Sequence, residues 1–288
     1  HDIETGLIFP ENMGEYLSID ETSLSLGELY TIVTNKDAKG KKGSIVAILK
    51  GTNSATIIPL LKRIDEQLRE GVKEVTLDLA GSMGLIVTQC FFKAKQVIDR
   101  FHVQQLASEA VQEMRIKHRW EAMDIENEAI ECTKKDKKVF HPIILANGDT
   151  HKQLLARSRH LLYKSKHRWS KEQNERGDIL FSLYPDIERA YQLTQNLVYI
   201  YNNTPNKILA LTRLAKWYDD VEQAGFKSFN ILSKTIRNNY ERILNYFDNR
   251  STNASAESFN AKIKAFRAQF RGVNNVPFFL FRLTKIFA

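Results

Sequence analysis

Cysteine is scarce in this 288-residue chain: Cys90 and Cys132 offer neither a disulfide framework nor a thiolate metal site, which suits a reducing cytoplasm. No run of eighteen apolar residues exists, so there is no candidate membrane span. No basic-then-apolar leader opens the sequence, and its first residue is His1 rather than Met, so a piece of a longer protein is expected. There is no Gly-x-Ser-x-Gly element, phosphate-binding loop or Cys–His pair, hence no signature of a protein nucleophile or of nucleotide binding. The seven histidines lack ligand spacing, which argues against a metal site built from imidazoles. Internal repeats and low-complexity stretches are absent as well.

What is present first is an uneven charge. The net charge is +8, yet residues 234–288 hold ten Lys/Arg against three Asp/Glu, while the preceding 233 residues hold 32 against 31. A basic tract of that kind fits a polyanion partner, and it equally fits a solvated helix face.

The first hundred residues alternate between strand and helix patterns. Strands are predicted at 15–20, 28–34, 44–49, 73–79 and 94–98, with helices at 54–69 and 82–92. A polar connection, residues 35–43, joins the second and third strands. The order β-β-β-α-β-α-β gives an α/β chain with a mixed sheet and helices on its faces, and it resembles the ribonuclease-H-like fold. From 103 to 246 the strand signals vanish, and amphipathic segments predict helices at about 103–133, 149–165, 169–182, 185–202, 205–222 and 226–246. The expected organisation is a core in two pieces, 1–102 and 247–288, around a large all-α insertion at 103–246. Trp120, Trp169 and Trp217 fall in the insertion and suit a core role better than base stacking.

Acids punctuate this pattern. Asp20 closes the first strand, Asp78 ends the fourth, Asp99 follows the fifth, and Glu257 begins a helix-like run. Acids at the ends of adjacent buried strands can converge, and converging carboxylates supply the hard oxygens that Mg²⁺ or Mn²⁺ prefers. Two such ions beside a basic surface are what phosphodiester chemistry requires. Each acid also suits a simpler role, Asp20 and Asp78 as turn or cap residues and Asp99 as the cap of the helix starting at Arg100. For Asp99 and His102, one turn apart, the functional reading is support of the metal site through hydrogen bonds. After Glu257, Lys264, Arg267 and Arg271 share one helix face that can track phosphates, with Phe259, Ile263, Phe266 and Phe270 on the core-facing stripe.

Taken in order, Asp20-Glu21, Asp78, Asp99-Arg100-Phe101-His102 and the run from Asn253 through Glu257 to Lys264 closely resemble bacterial DDE transposases of the ISL3 insertion-sequence family, over essentially the whole chain. The resemblance implies that Asp20, Asp78 and Glu257 are the catalytic, metal-binding acids for two Mg²⁺ (or Mn²⁺) ions. It implies Asp99 and His102 as the accessory signature, with Asp99 the rival second acid. It further implies double-stranded DNA, both element ends and target, as partner, contacted by Arg250, Lys262, Lys264, Arg267 and Arg271. Homo-oligomeric action at the nucleoid and an N-terminal zinc-finger and helix-turn-helix region, not found in this chain, are also implied. The alternatives are another ribonuclease-H-like nuclease, or an inactive DNA-binding remnant.

Overall fold

The computed structural model describes residues 6–25, 28–269 and 276–288, without the side chains of 24, 25, 255–257, 269 and 276. The chain divides into two compact units, one made of residues 1–103 and 239–288, the other of residues 104–238.

The first unit is built on a six-stranded sheet. Its strands are β1 (Gly6–Ile8), β2 (Tyr16–Ser25), β3 (Glu28–Asn35), β4 (Ile45–Lys50), β5 (Glu74–Leu77) and β6 (Lys95–Ile98), in the spatial order β1-β4-β3-β2-β5-β6. The hairpin-linked half is antiparallel, while β2, β5 and β6 run parallel. The expected β-β-β-α-β-α-β order runs from β2 to β6, and the short edge strand β1 precedes it.

In this unit two expectations are revised. The first predicted strand stops at Asp20, but β2 continues to Ser25 because Glu21, Thr22 and Ser23 keep pairing with Thr31, Tyr30 and Leu29 across the hairpin. Asp20 therefore lies within a strand and not at its end. The single predicted helix at 54–69 is two, α1 (Ser54–Leu61) and α2 (Glu66–Glu70). The break comes at Asp65, whose side chain accepts from the Gln67 N–H at 2.8 Å and starts α2 afresh, with Ile64 buried beside it. The crossover helix α3 (Gly81–Cys90) then links β5 to β6.

Both faces of the sheet are covered. Successive residues of β3, Thr31, Ile32 and Val33, are all buried although they point to opposite sides. One cluster joins Tyr30, Ile32, Ile45 and Ile48 of the sheet to Phe259 and Ile263 of α12 (Ala254–Gln269) and to Phe279, Leu280 and Leu283 of α13 (Val276–Phe287). Helix α1 packs on α3 and touches β4, and α3 touches β5. Phe259 and Ile263 thus occupy the stripe the sequence assigns to them.

The second unit is helical throughout its described elements. The helix α4 (Arg100–Lys135) leads into it, followed by α5 (His151–Arg157), α6 (Lys171–Leu183), α7 (Pro185–Asn203), α8 (Lys207–Ala224) and α9 (Lys227–Asn238). The predicted last helix, 226–246, ends early. After α9 the chain continues as α10 (Tyr240–Leu244) and α11 (Tyr246–Asn249) in the first unit. Trp169 packs with Phe181 and Tyr191, ring centroids 5.4–6.0 Å apart, and the buried Trp217 donates to the Leu193 carbonyl at 2.9 Å. Trp120 is 60% exposed, so only two of the three tryptophans are core. No described helix is long and apolar enough to cross a membrane.

Candidate active site

Strand register brings the acids together. Ser18 of β2 lies beside Thr76 of β5, and Leu77 of β5 lies beside Ile98 of β6. Continued by one or two residues, that register sets Asp20, Asp78 and Asp99 side by side across three adjacent parallel strands, each step about 4.8 Å. On β2 the polar positions Ser18, Asp20 and Thr22 alternate with the fully buried Leu17 and Ile19. In the first half of β2 one face is therefore polar and the other apolar.

Each carboxylate of this row is held by donors. Asp20 accepts from the Glu21 N–H through Oδ1 at 2.8 Å and from the Asn260 side-chain amide through Oδ2 at 2.6 Å. One lone pair per oxygen remains for a further ligand. Asp78 Oδ1 accepts from the Ala80 N–H at 2.8 Å, a turn contact that orients it as the chain enters α3. Burial pushes the Asp20 carboxyl above its ordinary range and Asp78 adds to that, against the Glu21 N–H, His102 and the Asn260 amide. Glu21 is also raised, by burial and then by Asp78 and Asp20. Asp20, Glu21 and Asp78 thus repel one another, and His102 faces Asp20 closely enough to draw it down.

Asp99 is different. It is 1% exposed, and its carboxylate accepts from the Phe101 N–H at 3.2 Å and the Asn253 N–H at 3.1 Å. It therefore caps α4 and also ties β6 to the residue just before α12. The Ser18 hydroxyl donates to the Asn253 side-chain oxygen, fastening the same residue to β2. Asn245 donates to the Gln96 carbonyl at 2.8 Å and Asn249 to Glu74 at 3.3 Å. A succession of asparagines, at 245, 249, 253 and 260, thus clamps the returning segment onto the sheet.

Asn253, Asn260 and Ser18 are site residues that sequence reasoning misses. A signal exists for two of them: Ser18 is two residues before Asp20, so on its face of the strand, and Asn260 is one helical turn after Glu257. The backbone of α12 carries Glu257, whose side chain lies outside the described residues.

The basic residues are spread along and beside this helix. Lys262 donates to the Gly40 carbonyl at 2.9 Å, and the Arg267 guanidinium lies 5.2 Å from the Phe279 ring centroid. Lys264 is exposed, and so is Arg250, which adopts a left-handed backbone (φ 52°) at the end of α11. Arg271 lies outside the described residues.

Among the described residues, which do not include the Glu257 side chain, no group of three or more His, Cys, Asp or Glu is gathered tightly enough to hold a metal ion. The donor set nevertheless fits a hard divalent cation: two adjacent carboxylates with free lone pairs, mutually repelling, which a cation between them would relieve.

Compared with known proteins, residues 17–283 match the ISL3 family described as transposase, an extent that runs from β2 into α13. No curated protein and no solved structure matches the chain. With more than nine-tenths of its length inside that match, the chain belongs to the ISL3 family of transposases.

Proposed function

We propose that this chain is the catalytic domain of a DDE transposase, with a ribonuclease-H-like core formed by β2–β6 and α12 and the compact unit 104–238 as its helical insertion. The observation that carries the reading is the register of β2 and β5, which continues to Asp20 within β2 and Asp78 just past the end of β5, with α12 tied to Asp20 through Asn260. Glu257 stands three residues before Asn260, hence on the same face of that helix.

In this reading Asp20, Asp78 and Glu257 hold two Mg²⁺ or Mn²⁺ ions. Bound there, such ions would supply charge neutralisation at the phosphoryl group and activation of the attacking oxygen, a water for nicking and a 3′-hydroxyl for strand transfer. The chain's own part is to fix ligands. The Glu21 N–H and the Asn260 amide set the plane of the Asp20 carboxylate, and the Ala80 N–H sets that of Asp78. Asp99 and Ser18 hold Asn253 and so fix where α12 begins, while His102 supplies a nearby imidazole. Arg250, Lys262, Lys264, Arg267 and Arg271 contact the phosphate backbone of duplex DNA. Two element ends must be processed together, which calls for more than one copy of the chain.

The test is a supercoiled plasmid carrying the element's ends, incubated with the protein and Mg²⁺ or Mn²⁺. Metal-dependent nicking followed by joining of 3′ ends to a second duplex is expected. Asp20→Asn, Asp78→Asn and Glu257→Gln should each abolish both steps. Full cleavage by any of the three variants overturns the assignment, and cutting without joining assigns a nuclease instead.

A further inference from the structure

The balance of charge before residue 234 conceals a local excess. Residues 151–171 contain seven Lys/Arg and three His, and no Asp or Glu. Three of these cations are matched. Lys152 pairs with Glu126 at 2.5 Å, Arg157 joins Arg176 on the buried Asp149, and Lys166 pairs with Asp178 at 3.0 Å. Arg159, Lys164, Arg168 and Lys171 are exposed and have no ion-pair partner among the described residues, and the exposed His167 stands between them.

This stretch is rigidly built. It makes two short 3₁₀ turns, Leu161–Tyr163 and Lys166–Arg168, with Leu161, Leu162 and Trp169 buried beneath. The Trp169 indole N–H is shared between the carbonyls of Leu161 (2.9 Å) and Lys164 (3.2 Å), and the Tyr191 hydroxyl also donates to Lys164 at 2.8 Å. Gln112 donates to the Arg159 carbonyl at 3.0 Å. The backbone is thus pinned from inside while the charged side chains project outward. Positive charge is dense enough to act on its neighbours: the buried Arg115 is pushed down by burial first, and then by Arg119 and Arg159.

We propose that residues 159–171 form a second duplex-DNA contact in this protein, a phosphate-binding surface on the helical unit separate from the basic helix α12. A polyanion fits better than a protein partner, because Tyr163 is the one large exposed apolar side chain within the segment and protein interfaces are depleted of Lys at their core. Four exposed cations on a pinned backbone, with a tyrosine hydroxyl among them, match the donors that position a protein on phosphate oxygens without reading bases. The inference rests on the chain acting on DNA, but not on its metal site.

The test measures binding of the whole chain to a labelled duplex of arbitrary sequence, by fluorescence anisotropy in EDTA, between roughly 50 and 200 mM salt. Replacing Arg159, Lys164, Arg168 and Lys171 together by Gln should weaken binding and lower the slope of log K against log salt by about 3–4, close to one for each phosphate no longer neutralised. The charge-preserving set, Arg159→Lys, Lys164→Arg, Arg168→Lys and Lys171→Arg, should bind like the parent. An unchanged affinity and slope in the Gln variant overturns the proposal, as does equal weakening by the charge-preserving set. Because EDTA removes the metal, failure of the catalytic reading would appear as absent cleavage with this binding intact.

Discussion

Asp99 is the residue whose role the geometry and the sequence weigh differently, and its replacement gives a quantitative test. In Asp99→Ala two backbone donors lose their acceptor, the Phe101 N–H at the start of α4 and the Asn253 N–H before α12. Loss of a helix cap costs about 1 kcal/mol. Stranding the buried Asn253 N–H, formerly bonded to a charged group, costs about 1–3 kcal/mol more. The sum is about 2–4 kcal/mol, which for a unit of roughly 150 residues lowers the melting temperature by about 4–16 °C. Asp99→Asn keeps one acceptor oxygen but turns an amide donor on one N–H, so it should fall between parent and Ala. Urea unfolding gives the stability change, and hydrogen exchange at the Asn253 N–H locates it. A destabilisation under about 0.5 kcal/mol, together with abolished Mn²⁺ binding, would refute the clamp and make Asp99 the metal ligand in place of Asp78.

Other consequences follow from packing and charge. A Cβ on Gly177 would sit 2.4 Å from Trp169 Cζ3 in a fully packed ring cluster, so Gly177→Ala should destabilise by about 1–3 kcal/mol in urea despite better helix propensity. The three atoms nearest a Cβ on Gly84 all belong to the flexible end of Arg242, which can swing aside, so Gly84→Ala should be close to neutral in the same assay. Asp149 is pushed up by burial but brought below its ordinary 3.8 by Arg176 and Arg157. The stability it contributes is present above that value and disappears as pH falls through the lowered one, and Asp149→Asn should cost about 2 kcal/mol at pH 7 and progressively less in acid. Asp20 has the opposite sign. Its raised carboxyl favours the folded state at low pH and opposes it as pH rises through the raised value. The Asn260 amide, unlike the backbone donors on Asp99, can turn its oxygen toward the new NH2, so metal-free Asp20→Asn should melt above the parent at pH 7, with the gap closing in acid below about pH 4.

Much of the architecture is legible in the sequence because strand patterns are local. The β-branched and apolar runs of β3, β4 and β5 fall within two residues of their expected positions. Strand β2 reads too short because the residues after Asp20, Glu21 to Ser23, are polar and are held by hairpin pairing. The helices α10 and α11 merge with α9 in the sequence pattern because periodicity does not register a change of packing partner. In the site, the acids stand out as chemistry. Their supports, Ser18, Asn253 and Asn260, are neutral polar residues whose meaning appears only when segments 235 and 240 residues apart in sequence meet. The capping of α4 by Asp99 is legible in the sequence, whereas its hold on the Asn253 N–H is a tertiary fact that no spacing encodes.

The central claim is that Asp20, Asp78 and Glu257 together hold two divalent ions. It is tested most directly by counting Mn²⁺ bound per chain, by electron paramagnetic resonance titration in the presence of excess duplex DNA. The parent should bind two ions, and Asp20→Asn or Asp78→Asn should lose at least one of them while Asp99→Asn retains both. An unchanged count in the Asp20 and Asp78 variants would contradict the account.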